Sequence, residues 1–375
     1  MDAHSLLATW GLDFVTRNWA LLSIVCTLVV LVVVPAMVIR KYLRVIVNLF
    51  DDTLPPPSMQ LRDFARVDGK PVDFRAFDGH RLRGMMIRGN PARRPLGTIV
   101  FAHEFKSDAQ SCARYVKPLI EAGYDVFSFD FRGHGQSSDE DGYCPRQWPS
   151  DREVDDMLGA IAYVEDHLET ARRPPDIGLF GISRGAGAAI LAAEMVSSVK
   201  AIVTDGAFSS DSTLEYLMKR WAKIFAKVRV VYENHPPAFW RFLRWRLFRV
   251  CSRRFHCNYP SVRKALAKLD GAGVFMIHGE KDSWIPVSQT QMLYDYAGEP
   301  KYIWIVPGAT HNQSVVVQPD EYAANTLQFF NRHLAGVEGD ADQLRPLRRL
   351  TQPLADLLTP GKPHVRAVNA RDAVS

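Results

Sequence analysis

The sequence predicts an α/β protein, a mostly parallel β-sheet covered by helices and preceded by one membrane-spanning helix. Three observations carry that prediction. From about residue 61 to 335, short β-rich runs alternate with longer helical patterns. Several of the short runs (TIVFA, DVFSFDF, AIVTDG, VFMIHG) are apolar throughout and end on Gly, Asp or His, as strands buried on both faces do. Ahead of them, residues 19–39 read WALLSIVCTLVVLVVVPAMVI, with no charge. The 375 residues are 47% hydrophobic and 23% charged, which excludes a disordered chain, a collagen or a disulfide-stapled mini-protein. Five cysteines, odd in number and far apart, argue against a secreted disulfide framework and suit a reducing compartment.

Residues 1–18 are an N-terminal flank. The apolar run at 19–39, taken as a helix at ~1.5 Å per residue, is about as long as a hydrocarbon core of ~30 Å is thick. Trp19 at one end and Arg40, Lys41 and Arg44 at the other stand where interfacial anchors belong. A cleaved signal peptide fits poorly: Asp2 and Asp13 precede the run, the run is too long, and no small-x-small site follows it. One basic residue before the run, Arg17, against three after it puts the rest of the chain on the cytoplasmic side. Residues 40–60 are expected as a juxtamembrane linker, with the helix able to continue to Phe50 before Asp51-Asp52 and Pro55-Pro56-Pro57 end it. Strands are predicted at 71–78, 81–88, 97–103, 124–130, 176–180, 200–205, 273–278 and 301–306. Helices are predicted near 109–122, 151–168, 184–197, 286–297 and 319–334. The interval 208–258 interrupts the alternation and reads as an insertion. Residues 336–375 are polar and aperiodic, a disordered tail.

Gly181-Ile182-Ser183-Arg184-Gly185 follows the strand DIGLF and opens the helical run AGAAILAAEM. G-x-S-x-G alone is a weak signal, but strand, then motif, then helix is the context it needs. A sharp turn there exposes the Ser183 hydroxyl, and the Arg184 amide, starting the helix, faces a developing oxyanion. A serine hydroxyl needs a base, and the base needs an orienting acid. Asp282 lies in the loop after VFMI, and His311 in the loop after YIWIV. Loops at strand C-termini are where an open α/β sheet gathers its ligands. Ser183, Asp282 and His311 are therefore the predicted triad. Asp205, ending AIVTD, is the rival acid, although Gly206 and Ala207 suit a structural turn equally well.

On these residues the chain resembles the α/β-hydrolase superfamily over 61–335. The matching pieces are FAHEF at 101–105, FDFRGHGQS at 129–137, GISRG at 181–185, HGEKDSWIP at 278–286 and GATHN at 308–312. The resemblance implies an eight-stranded, mostly parallel sheet with strand 2 antiparallel and a helical lid inserted at 208–258. It also implies a second oxyanion donor, the backbone N–H of Phe105. Glu104 stands where the family usually has Gly, and a carboxylate aimed inward would repel an oxyanion. The loop Asp130–Gly135 is expected to be scaffolding, with His134 hydrogen-bonded rather than catalytic. An anchor ahead of such a domain resembles the membrane-anchored abhydrolase-domain proteins, some of which act on lipid or acyl-protein substrates.

The insertion concentrates the positive charge. Residues 219–254 hold eleven Lys/Arg against Glu233 alone, which gives that segment +10 in a chain whose net charge is +5. In 219–230, Lys219, Arg220, Lys223 and Lys227 share one helical face, and Trp221, Ile224, Phe225 and Val228 the other. FWRFLRWRLFRV then interleaves Arg with Phe and Trp. A self-packed lid with a solvated face and a surface on anionic lipid both account for this; no nucleic-acid fold accompanies it. Cys251, His256 and Cys257 are a weak zinc signature. The expected function is hydrolysis of an ester or thioester, of a small-molecule or lipid-like acyl substrate, with no metal or organic cofactor. The alternatives are a serine peptidase on the same fold and a non-catalytic membrane tether.

Overall fold

The structure, a computed structural model, describes residues 3–51, 66–225 and 235–337. The expected tail beyond 337, the prolines at 55–57 and the segment 226–234 lie outside the described residues. Contacts divide the chain into two compact units, one made of Met1–Pro55 and Leu214–Asn258, the other of Pro56–Thr213 and Tyr259–Ser375.

The larger unit holds one sheet of eight strands: β1 (Lys70–Arg75), β2 (Arg81–Ile87), β3 (Gly97–Ala102), β4 (Tyr124–Asp130), β5 (Ile177–Ile182), β6 (Val199–Asp205), β7 (Gly273–Gly279) and β8 (Lys301–Val306). Their order is β1-β2-β4-β3-β5-β6-β7-β8. β2 pairs antiparallel with β1 and β4, and the remaining pairs are parallel. This is the α/β-hydrolase architecture that the motifs imply.

The continuous apolar runs have a simple cause. Along β3, Ile99 and Phe101 face one buried cluster and Val100 and Ala102 the other, so neither face reaches water. Ile99, Val100 and Phe101, fully buried, each contribute about 1.5–3 kcal/mol. Helices α4 (Asp151–Thr170) and α5 (Arg184–Ala193) supply Met157, Ile161 and Ile190 to one cluster; the late helix Pro319–His333 supplies Phe329 and Phe330 to the other. The helix expected at 109–122 is instead two pieces, a 3-10 turn at Ala109–Arg114 and α3 (Lys117–Ala122). Pro118 lies in the first turn of the second piece, where its missing N–H costs no helical hydrogen bond.

The smaller unit starts with an α-helix, Ala3–Leu28, that bends at Asn18 (φ −116°, ψ 15°), so the straight apolar segment begins at Trp19. A π-helical turn at Val29–Val33 follows. The next helix, here called αJ, runs Val34–Asp51. Over 40–51 the helix continues, as the linker reading allowed: Leu43, Ile46, Val47 and Phe50, at helical spacing, are buried along one stripe, and that stripe keeps the chain helical. Thr16–Val33 has a mean hydropathy of 1.9 with none of it buried, the one described helix long and apolar enough to cross a membrane. In the insertion, helix αI (Pro237–Phe255) buries Trp240, Leu243, Leu247, Cys251 and Phe255, and Phe255 stacks on Phe50 at 5.9 Å. Glu215 joins Lys219 at 2.9 Å and Arg244 at 2.7 Å.

Candidate active site

The elbow at the end of β5 is strained as its sequence requires. Ser183 has φ 51° and ψ −112°, a conformation rare for a residue with a Cβ. Three contacts hold it there. The Ser183 N–H donates to the Asp205 carbonyl at 2.7 Å. A Cβ on Gly181 would stand 2.5 Å from the Ala186 Cα, and one on Gly185 would stand 2.3 Å from the Ala102 carbonyl oxygen and 2.5 Å from that of His103. Both glycines are thus steric necessities, and the second seats the elbow against the loop that follows β3.

The structure brings the three predicted side chains together. Ser183 Oγ is 2.9 Å from His311 Nε2, and His311 Nδ1 is 2.5 Å from Asp282 Oδ2. The other Asp282 oxygen accepts from the Trp284 and Ile285 amides, both at 2.9 Å. Burial alone would raise the Asp282 carboxyl; the hydrogen bond and charge of His311, then the charge of His278, outweigh it and hold the group below its ordinary value. With Nδ1–H donating to Asp282, Nε2 presents its lone pair to the Ser183 hydroxyl. Such an arrangement can take the hydroxyl proton as the oxygen attacks, and return it to a leaving group.

Sequence reasoning did not find two supports of this chain. His278, buried at the end of β7, donates from Nε2 to the Ile285 carbonyl at 2.7 Å and accepts at Nδ1 from Thr290 at 2.7 Å; the same Nε2 lies 3.3 Å from Asp282 Oδ2. Burial, the largest influence on it, lowers its pKa, against the opposing pull of Asp282. Gly279 packs against the loop bearing His311: a Cβ there would lie 2.5 Å from the Ala309 carbonyl oxygen. The signal was present in the HGEKD run but read only for its Asp.

Asp205 is placed differently. Its carboxylate is fully buried and accepts from Ser314 Oγ at 3.3 Å. Burial pushes its pKa up to about 7. Its contribution to the elbow is the backbone carbonyl already described.

Arg184 starts α5, where a helix's first amides have no internal acceptor. Its guanidinium is buried, 3.3 Å from Glu153 Oε1 and 5.2 Å over the Phe105 ring. Glu104 turns its carboxylate to Arg114, 3.0 Å away, with both side chains buried. The left-handed residue of this loop is Lys106 (φ 60°), so position 104 does not require glycine. His103 accepts from the Phe131 amide at 3.1 Å and donates to the Glu104 carbonyl at 2.7 Å, and burial followed by the Arg184 charge lowers its pKa to about 3. His134 bonds the Arg132 carbonyl and Arg184, as scaffolding would. Arg132 is buried among Asp78, Glu140 and Asp156, and the Asp130 carboxylate accepts from the Ala109 and Gln136 amides. Among the described residues, no group of three or more His, Cys, Asp or Glu gathers as a metal site would.

A family model described as serine aminopeptidase, S33, matches residues 93–238. The uncharacterized protein YfhR of Escherichia coli strain K12 is 26% identical over 279 residues, 72% of this chain and 81% of that one. The uncharacterized protein YqkD of Bacillus subtilis is 25% identical over 241 residues, 62% of this chain and 71% of its own. Among solved structures, an esterase of Pyrococcus furiosus superposes with a TM-score of 0.53 at 22% identity, over 76% of this chain and 98% of that one.

Proposed function

Since this chain is an α/β hydrolase in fold, we propose that it is a serine hydrolase that cleaves an ester or thioester through an acyl-enzyme. The observation that carries the reading is the continuous line from Ser183 Oγ through His311 to Asp282, at 2.9 and 2.5 Å. Ser183 attacks the carbonyl carbon, and His311 takes its proton. Asp282 stabilises the imidazolium, and the Arg184 and Phe105 amides receive the oxyanion. His311 then protonates the leaving group, and water repeats the sequence to release the acid.

A second reading, peptide cleavage, draws support from the S33 match. An aminopeptidase must hold a substrate ammonium, which calls for a carboxylate able to face it. Among the described residues, Glu104, Asp205 and Asp282 near His311 are all buried, with one oxygen each on Arg114, Ser314 and His311, and burial raises the first two toward their neutral forms. This favours a neutral acyl substrate. A matched series of acyl esters, acyl thioesters and aminoacyl amides tests it: turnover of the esters or thioesters is expected, and turnover of the amides alone would reverse the choice.

The helix beginning at Trp19 is proposed as a retained membrane anchor, with the catalytic unit on the cytoplasmic side by the charge bias across it. The basic insertion is proposed to face anionic lipid, which suits a lipid-like acyl substrate.

A further inference from the structure

We propose that the groove between αJ and αI binds one anionic phospholipid, with its phosphate at Arg40, Arg44 and Arg246. This rests on the anchor reading above and deepens it by placing a lipid at named residues. The groove encloses about 670 Å³, within the range of ~300–1,000 Å³ usual for ligand pockets. Two ridges at four-residue spacing line it, Ala36, Arg40, Arg44 and Asn48 on αJ, and Phe242, Arg246, Val250 and Arg254 on αI. Each ridge repeats along about 18 Å of helix at ~1.5 Å per residue. All of these residues belong to the same compact unit.

The lining has two chemistries. Four of its residues are arginines and none is acidic. Arg40, Arg44 and Arg246 form no ion pair among the described residues, whereas Arg244, two residues before Arg246, pairs with Glu215. The rest of the lining is mostly apolar: Ala36, Ile39, Leu43, Val47, Phe242 and Val250. A solvated basic face needs no apolar wall beside it, and a free inorganic anion would leave that wall exposed. A phospholipid uses both, since guanidinium forks match phosphate oxygens and acyl chains cover apolar side chains.

The level is also right. Ala36 and Ile39 belong to the end of the uncharged run, and Arg40 is the first charge after it. If the run spans, the arginines stand at headgroup depth. Phe242 and Trp245, 45% and 48% exposed and 5.8 Å apart, form an aromatic pair of the kind found at membrane interfaces.

The test is native mass spectrometry of the full chain released from nanodiscs of equal phosphatidylglycerol and phosphatidylcholine. The wild type is expected to retain one phosphatidylglycerol per chain, about tenfold or more over phosphatidylcholine. Arg40→Gln with Arg246→Gln is expected to lose the preference while keeping its circular dichroism and its turnover of a soluble short-chain ester. Arg241→Gln, outside the groove, is expected to keep the preference. Equal retention of the two lipids, a double variant as selective as the wild type, or an equal loss in Arg241→Gln would overturn the site. So would displacement of the lipid by excess inorganic phosphate. Alkaline carbonate separates the two failures: a chain it strips from vesicles was never anchored, whereas a chain that stays inserted without lipid preference refutes the groove alone.

Discussion

At the residue scale, the two acids near His311 carry opposite predictions. Asp282→Asn keeps the shape but leaves His311 without an anionic partner, and ester turnover is expected to fall by several orders of magnitude. Asp205→Asn is expected to retain most activity. Its effect is on stability. The Asp205 carboxyl is raised from 3.8 to about 7, so between those values the folded state holds a proton that the unfolded state has released, and stability falls as pH rises through that window. Asn mimics the protonated form. Thermal melts should therefore show Asp205→Asn gaining on the wild type between pH 4 and 8. A large rate loss only at Asp205, or a gain that shrinks with pH, would count against this assignment. His103 works the other way: its imidazole is lowered to about 3, so it adds to acid destabilisation as pH falls from 6.5 toward that value.

At the element scale, α4 and α5 share a buried apolar cluster and are also joined by one ion pair, Glu153 to Arg184. Glu153 closes the capping box of α4 with Ser150 and also faces the buried Arg184 guanidinium. Glu153→Ala removes the cap, worth ~1 kcal/mol, and leaves a buried charge short of its partner, worth ~3 kcal/mol or more. Denaturant titration is expected to show a loss of about that sum, with Ser150→Ala costing only the smaller part. The strands were legible because β3 to β7 are buried on both faces, and a run such as TIVFA has few other uses. The meeting of Ser183, His311 and Asp282 was legible because each lies in the loop after a strand's C-terminal end. What escaped was non-local. Nothing near Arg114 announces Glu104 as its partner, and no spacing rule joins Glu153 to Arg184. The helix over Arg40–Asp51 is legible in sequence only as an allowed continuation to Phe50, because the stripe from Leu43 to Phe50 depends on what it packs against. Gly279→Ala tests how closely the loops bearing Asp282 and His311 are fitted. Its Cβ would meet a carbonyl that belongs to backbone and cannot swing away, so both stability and turnover should fall.

At the scale of the whole molecule, charge and hydropathy are segregated by sequence. An uncharged run, then an arginine-rich insertion in the same compact unit, accompany a larger unit that holds the sheet and the Ser183 site. Attraction of basic residues to an anionic surface decays over ~8 Å at physiological salt. Turnover of an acyl substrate presented in anionic vesicles should therefore fall with added salt, while turnover of a soluble short-chain ester should not. The central claim is narrower than this and can be tested without knowing the substrate. Intact-mass analysis after exposure to a fluorophosphonate should show one adduct per chain, mapped by peptide sequencing to Ser183, and none on folded Ser183→Ala. An unlabelled wild type that nevertheless hydrolyses esters, or labelling that persists in the alanine variant, would contradict it.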